Sequence, residues 1–220
     1  MQLPAPSSAP EVRIRYGRYV ARRLRRSKLD ALQKTVTAVT DSVKAAGRAR
    51  EDAAELVDEA IADRDGADDD LDEQTQELRN ALAGRSLEAV NESPYTDIFP
   101  DGIGYYIGAP LDEQVDRYTQ LIERIEKALP ASDSERKKRV PALRAALKEF
   151  RVAEEALDKA RRVEAEASRA VATATDRFNR QLERCYGALV AEQSKSAAER
   201  YFPRVRRGKA KRGPAPEPSP

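Results

Sequence analysis

The chain has 220 residues, of which 35% are charged and 5% are aromatic, and its formal net charge is +2. Few aromatics and no tryptophan are typical of long helices rather than of a thick globular core. The absence of histidine removes the commonest general base and metal ligand, and a single cysteine, Cys185, excludes an internal disulfide and a thiolate zinc site.

The N-terminal segment, residues 1–26, is interpreted as a partly disordered basic arm. Its first ten residues are rich in Pro, Ser and Ala, which bury too little apolar surface to fold alone. Residues 13–28 then carry eight basic side chains and no acidic one. Such blocks of like charge are either interaction segments or simply solvated, and both interpretations stay open here.

The first long helix is predicted over residues 27–91, where two core positions recur with the alternating steps of three and four that make a coiled-coil seam. One row consists mostly of large residues: Leu29, Val36, Val43, Arg50, Val57, Arg64, Leu71 and Leu78. The other row consists mostly of alanine: Leu32, Val39, Ala46, Ala53, Ala60, Ala67, Gln74 and Ala81. A bend or break is most expected in the acidic run 63–74, which contains Gly66.

The middle of the chain, residues 92–132, interrupts the repeat with prolines and glycines. We predict an irregular apolar loop at 92–110 and a short amphipathic helix at 111–129. The loop side chains either fill the top of a small helical tip or stay exposed, chiefly Tyr105 and Tyr106, and contact a partner protein. The candidate protein-binding residues of this tip are Ile98, Phe99, Ile103, Tyr105, Tyr106 and Ile107.

The second long helix is predicted over residues 133–200 with the same two rows. Its large row is Leu143, Phe150, Leu157, Glu164, Val171, Phe178 and Cys185, and its alanine row is Ala146, Ala153, Ala160, Ala167, Ala174, Gln181 and Ala188. A third row, running from Leu147 to Leu189, is apolar at both ends and polar between them, so each end should meet a further partner. We expect the short helix at one end, and the N-terminal arm or a second copy of the chain at the other.

These features predict an all-α fold: a long antiparallel two-helix coiled-coil hairpin with an alanine-rich seam, a short third helix and an irregular apolar loop at the tip. The predicted register sets Ala67 against Ala160. It also places Arg64 beside Glu164, the two charges that interrupt the seams midway. An interior ion pair of this kind would lock the register.

The two basic segments would meet at one end of such a hairpin, the base. The second of them belongs to residues 201–220, a predicted disordered tail that is basic and Pro-rich. Clustered Arg and Lys beside aromatic rings suit phosphates, although an acidic protein surface or an anionic membrane face would suit them too. The candidate anion-binding residues are Arg13, Arg15, Arg18, Arg22, Arg23, Arg25, Arg26, Lys28, Arg204, Arg206, Arg207, Lys209, Lys211 and Arg212.

Other motifs carry little chemistry. Gly102 and Gly104 form a G-x-G, but no Lys-Ser/Thr follows, so we predict no nucleotide site. The acidic run 63–74 lacks the ligand spacing of a calcium loop and is interpreted as a solvated helix face or a helix break. Cys185 lies in a core row, which predicts a buried, inert thiol. We therefore expect no cofactor and no metal.

The function that these patterns favour is a non-enzymatic scaffold or adaptor. No constellation of acid, base, nucleophile or metal ligand points to an enzyme. We expect a coiled-coil protein that mediates protein–protein interaction or assembly through its tip loop and basic base. The alternative is a nucleic-acid-associated protein that binds the phosphate backbone through its basic segments. With no apolar signal-peptide core and no membrane-length apolar run, we expect a cytoplasmic protein that does not span a membrane.

Overall fold

A computed structural model describes residues 1–203, whose regular elements are all helices and which contain no β-strand. Besides one 3-10 turn at Ala89–Asn91, the elements are α1 (Pro10–Arg26), α2 (Asp30–Ala83), α3 (Tyr95–Ile98), α4 (Gly104–Ile107), α5 (Leu111–Ala128), α6 (Ser134–Glu192) and α7 (Lys195–Glu199). The chain divides into two compact units. Unit 1 comprises Met1–Arg50 with the chain from Glu166 onward, and unit 2 comprises Glu51–Ala165.

The two long helices, α2 and α6, pack closely, so the prediction of an all-helical fold with two long packed helices is confirmed. Leu71 and Leu78 of α2 are fully buried, as are Leu143 and Phe150 of α6. No break occurs near Gly66, in the run where a bend or break was most expected, because α2 continues through this residue. A helical glycine costs only about 1 kcal/mol, which burial of the neighbouring seam residues offsets.

The ends of the long helices differ from the predicted boundaries. α2 stops at Ala83 rather than at 91, and the amide of Gly84 closes the last turn on the carbonyl of Asn80 at 3.0 Å. At the start of α6, Asp133 Oδ1 accepts a hydrogen bond from the amide of Glu135 at 2.9 Å. Pro141 lies within α6, where it removes one backbone hydrogen bond from an early turn without ending the helix.

Unit 1 is built by α1 lying on parts of α2 and α6. The expectation of a partly disordered arm is therefore wrong over Pro10–Arg26. Tyr16, Val20 and Leu24 recur every four residues, and burying this stripe stabilises the helix. Their cluster includes Leu182 and Leu189 of α6, which form one apolar end of the third row. The sequence left open whether the N-terminal segment or a second copy of the chain covers this end, and in unit 1 the N-terminal segment covers it.

Unit 2 is built by α3, α4 and α5 on the remaining parts of the long helices. α5 matches the predicted short helix, and its Tyr118, Leu121 and Ile125 are fully buried in one cluster with Leu78 and Phe150. Much of the segment predicted as irregular, 92–110, forms two single helical turns, α3 and α4. These turns add side chains to the same core.

The predicted register of α2 on α6 is not the one observed in unit 2. Ala60 shares a cluster with Leu157 and Ala160, whereas the prediction set it against Ala167. Ala60 therefore packs against a large side chain, Leu157, as well as against an alanine. When one helix of a heptad pair is shifted along the other, apolar rows can still face each other. Periodicity alone therefore does not determine the register.

Within residues 1–203, no helix combines the length and the apolarity needed to cross a bilayer.

Candidate functional site

The basic face of α1 is the most strongly charged surface of unit 1. The buried stripe of α1 fixes which side of the helix turns away from the core. Five basic side chains of α1 are exposed and one, Arg23, is half-buried, while Lys28, two residues past the end of the helix, is also exposed. We call these seven residues the α1 basic face: Arg15, Arg18, Arg22, Arg23, Arg25, Arg26 and Lys28.

The α1 basic face has no internal counter-charge in the described part of the chain. None of its seven side chains forms a salt bridge there, although eight salt bridges occur elsewhere. The nearest acids along the chain, Glu11 and Asp30, flank this basic stretch rather than interrupting it. The face therefore presents an uncompensated positive potential, which attracts anions.

Arg13, also predicted to bind anions, has a structural role instead. It is only 2% exposed, and its guanidinium donates hydrogen bonds to the carbonyls of Ala5 and Pro6, at 2.8 and 2.9 Å, and of Ser8. Burial lowers the pKa of this guanidinium from its ordinary value. A buried arginine whose two terminal nitrogens bind carbonyls is not available to an external anion, so this part of the prediction is corrected.

The aromatic rings of unit 1 differ in access. Tyr16 is buried, its hydroxyl donates to the carbonyl of Gln2 at 2.7 Å, and burial raises its pKa to about 12. Phe202 is buried edge-on against Tyr186 at 5.6 Å. Tyr19 is 44% exposed. Helical spacing sets Tyr19 beside Arg15, Arg22 and Arg23, so α1 presents one open ring among its arginines.

The second basic segment is mostly outside the described residues. Tyr201, at its start, is half-buried beside α1: a hydrogen bond with Ser27 and another from Gln193 lower its pKa. Six predicted anion-binding residues lie outside the described residues: Arg204, Arg206, Arg207, Lys209, Lys211 and Arg212.

Half of the residues predicted to bind a partner protein at the tip are buried in the core of unit 2. Ile98, Phe99 and Tyr106 are 0%, 3% and 0% exposed. The hydroxyl of Tyr106 donates to the carbonyl of Ile98 at 2.9 Å and accepts from Arg124 Nη1 at 2.7 Å. These three residues cannot contact a partner, because they fill the space between α5 and the turns above it. The interpretation that the loop fills the tip fits them, and Tyr106 as an exposed anchor is wrong.

The other tip residues are half-buried. Ile103 and Tyr105 pack against the core cluster of unit 2, and Ile107 is also partly covered. The guanidinium of Arg117 lies over the Tyr105 ring, 4.3 Å from its centroid. The six tip residues therefore do not combine into an exposed aromatic patch within the described chain.

The seam charges Arg64 and Glu164 are not brought together. Arg64 Nη2 pairs with its neighbour Asp65 at 2.5 Å, and residues 1–203 contain no Arg64–Glu164 salt bridge. Across the seam Arg64 lies beside Glu154, ten residues before Glu164. Desolvation, together with the charge of Asp158, raises the pKa of Glu154, and the positive charge of Arg64 opposes this shift. The different register explains the change of neighbour.

A polar cluster under α5 was missed by the sequence reasoning, which treated the acidic run as a solvated face or a break. Asp68 and Asp72 of α2 are half-buried, and the Tyr118 hydroxyl donates to Asp72 Oδ1. Desolvation raises the pKa of both carboxyls and of Tyr118. Gln114 is 2% exposed, and its polar side chain on the inner face of α5 is the signal that could have indicated the cluster.

The described residues contain neither a cluster of possible metal ligands nor an exposed thiol. They contain no group of three or more Cys, Asp or Glu side chains arranged to hold a metal ion. Cys185 is fully buried, and burial raises the pKa of its thiol to about 11. A thiol with a raised pKa is a poor nucleophile at neutral pH, which agrees with the inert role predicted for it.

Comparison of the chain with models of known families, with curated proteins and with solved structures found no match.

Proposed function

We propose that the chain is a non-enzymatic helical adaptor that binds an anionic partner through the α1 basic face.

In the same proposal α2 and α6 form an antiparallel coiled-coil hairpin with an alanine-rich seam, and the short helix α5 and the apolar loop form its tip. Two contacts between the helices support this arrangement: Glu77 of α2 binds Arg139 of α6, and Ala60 of α2 shares a cluster with Leu157 and Ala160 of α6. Partner numbers fall along α6 as they rise along α2, as antiparallel helices require.

The single observation that carries the proposal is the row of seven basic side chains without internal partners. Exposed like charges on one helix face repel each other, and this repulsion costs stability. An anionic partner would relieve it and would be attracted over a distance of about a Debye length. The apolar stripe of α1 is already buried in unit 1, so the contact would be electrostatic rather than an insertion into a membrane.

The second candidate function is binding of nucleic acid as the anionic partner. The exposed ring of Tyr19 favours this candidate over an acidic protein surface. The face contains six arginines and one lysine, and the planar guanidinium suits phosphate oxygens in two-bonded contacts. An exposed tyrosine among arginines provides a surface on which an unpaired base could stack. An acidic protein surface would use the arginines but has no base to stack on Tyr19.

The test uses the full chain, four probes and two matched variants. The probes are labelled single-stranded DNA and RNA of about 20 nucleotides, longer than one site of about 4–16, poly-L-glutamate, and phosphatidylserine vesicles. The first variant is Arg18→Gln/Arg22→Gln/Arg25→Gln. The control, Arg169→Gln/Arg177→Gln/Arg180→Gln, removes the same charge from exposed positions of α6.

We expect at least one probe to bind at low salt, and the α1 variant to bind it at least about tenfold more weakly while the control stays close to the wild type. The probe that binds most tightly at physiological salt identifies the class of partner. Equal losses in both variants would contradict the proposal, since they would reflect net charge alone. So would the absence of binding by every probe at low salt.

A further inference from the structure

A groove on the surface of unit 2 runs between α2 and α6 and has a volume of about 650 Å³. None of the site residues predicted from the sequence lines this groove. Its α2 wall contains Gly66 and Ala67, and its α6 wall contains Ala153 and Ala156. Val152, also in the groove, is 58% exposed, the second most exposed large apolar side chain in the described chain.

Several side chains that line the groove are small enough for the backbone of a partner helix to approach closely. A methyl group added at Gly66 would meet no atom within 4 Å, so open space lies directly above this turn of α2. Glycine and alanine on both walls allow close approach, as the alanine row does inside the seam. The groove therefore leaves room for the backbone of another helix to lie close to both walls.

The same pair of helices already holds one helix on another side. α5 lies over α2 through the stripe that includes Asp72, whereas the groove uses the stripe of Asp63, Gly66 and Asp70. α5 contributes large apolar side chains to a surface that is partly acidic. It shows within this molecule that α2 and α6 together can bind an amphipathic helix.

The charge of the groove indicates what kind of helix would fit. Residues 51–75 of α2 contain twelve acidic residues and one basic residue, Arg64. Arg64 pairs with Asp65, and no other salt bridge within residues 1–203 neutralises an acid of this stretch. Acidic residues three or four apart, such as Asp63 and Glu59, repel one another on the helix surface.

We propose that this groove docks an amphipathic helix of a partner protein, with small or aliphatic residues facing Gly66 and Val152 and with lysine or arginine along the flank that faces α2. This docking surface goes beyond the function proposed for α1 and does not depend on it. The basic flank would neutralise the acidic wall of α2, and the apolar stripe would cover Val152. The helix α1 of a second copy does not fit, because its apolar stripe is already buried.

The test measures binding of a labelled 18-residue helical peptide, with an Ala/Leu stripe and Lys/Arg flanks, to the full chain by fluorescence anisotropy. A peptide of the same composition with its stripe scrambled controls for charge. Gly66→Leu fills the groove while favouring the helix, so the variant should fold at least as well as the wild type. Gly187→Leu is the matched control, an exposed glycine of α6 that also faces open space.

We expect saturable binding that Gly66→Leu weakens at least tenfold and Gly187→Leu leaves unchanged. Asp63→Asn/Asp70→Asn should weaken it more than the control Asp52→Asn/Asp58→Asn, which removes the same charge from α2 outside the groove. Equal binding of the scrambled peptide, equal binding by Gly66→Leu, or no binding would overturn the proposal. Self-association in sedimentation equilibrium that Gly66→Leu abolishes would also overturn it, since a second copy would then be the occupant.

Discussion

Gly17 lies where α1 comes close to both long helices. A methyl group at this position would lie 2.1 Å from Thr40 Oγ1 and 2.9 Å from the ring of Phe178. We expect Gly17→Ala to destabilise the protein by about 1–3 kcal/mol through overpacking. The measurement is urea-induced unfolding followed by circular dichroism.

Gly187→Ala is the control for that measurement. Gly187 is also helical, but a methyl group there meets no atom within 4 Å. We expect this variant to be more stable than the wild type by up to about 1 kcal/mol, because alanine is the better helix former. A Gly17→Ala protein that is stabilised to the same extent would contradict the packing of α1 described above.

The half-buried carboxyls of Asp68 and Asp72 give a prediction about pH. Their pKa values in the folded protein are raised, so the folded state binds protons more readily than the unfolded chain. Stability should therefore fall as pH rises from the ordinary carboxyl pKa of about 3.8 through the raised values. Asparagine at both positions removes this titration and keeps an acceptor for Tyr118.

We expect Asp68→Asn/Asp72→Asn to raise the thermal unfolding midpoint at pH 7, and the gain to shrink as the pH is lowered and the wild-type carboxyls take up protons. Asp58→Asn/Asp69→Asn removes the same charge from exposed positions of α2 and is the control. If both double variants gain equally at every pH, general charge repulsion rather than burial under α5 explains the effect.

At the scale of elements, the pairing of α2 with α6 can be tested by a double-mutant cycle. Arg64 lies beside Glu154, whereas the sequence predicted a pair with Glu164. We expect a coupling free energy of about 0.2–1 kcal/mol between Arg64→Ala and Glu154→Ala, as for partly exposed ion pairs. The cycle of Arg64→Ala with Glu164→Ala should give no coupling beyond the additivity error of about 0.3–0.5 kcal/mol. The reverse result would favour the predicted register.

The comparison of sequence and structure is clearest in these elements. Heptad spacing identified both long helices and many of the residues that they bury, because apolar periodicity is a local property of the chain. It also placed the exposed Arg50 in a core row and left out the buried Leu82. It could not fix which layer of α6 meets Ala60, because every heptad of the seam looks alike. The register depends on contacts far apart in sequence, such as that between Arg85 and Asp133.

Two further differences between the sequence prediction and the structure arise because charged segments were assumed to be exposed to solvent. The density of arginine in residues 13–28 concealed the stripe of Tyr16, Val20 and Leu24, and the segment was expected to be partly disordered although it forms α1. Arg13 was grouped with its neighbours, but its guanidinium is buried among carbonyls. Composition describes a whole segment, whereas burial is decided residue by residue by what packs against it.

At the scale of the whole molecule, each unit has one strongly charged surface in the described residues, and the pair of Arg64 with Asp65 is the one salt bridge within either surface. Unit 1 has the α1 basic face, and unit 2 has the acidic stretch 51–75 of α2 beside an open groove. A helical protein with two such surfaces of opposite sign is suited to hold two different partners, an anionic one and a cationic one. This is the physical basis of the proposed adaptor function.

The most direct test of that account is the salt dependence of single-stranded DNA binding by the full chain. The logarithm of the binding constant should fall linearly with the logarithm of salt concentration, with a slope of about −0.7 per neutralised phosphate. The account predicts that Arg18→Gln/Arg22→Gln/Arg25→Gln flattens this slope by about 2, one phosphate for each arginine, while the control in α6 keeps it. The same slope in the wild type and in the α1 variant would contradict the claim that the α1 basic face binds anions.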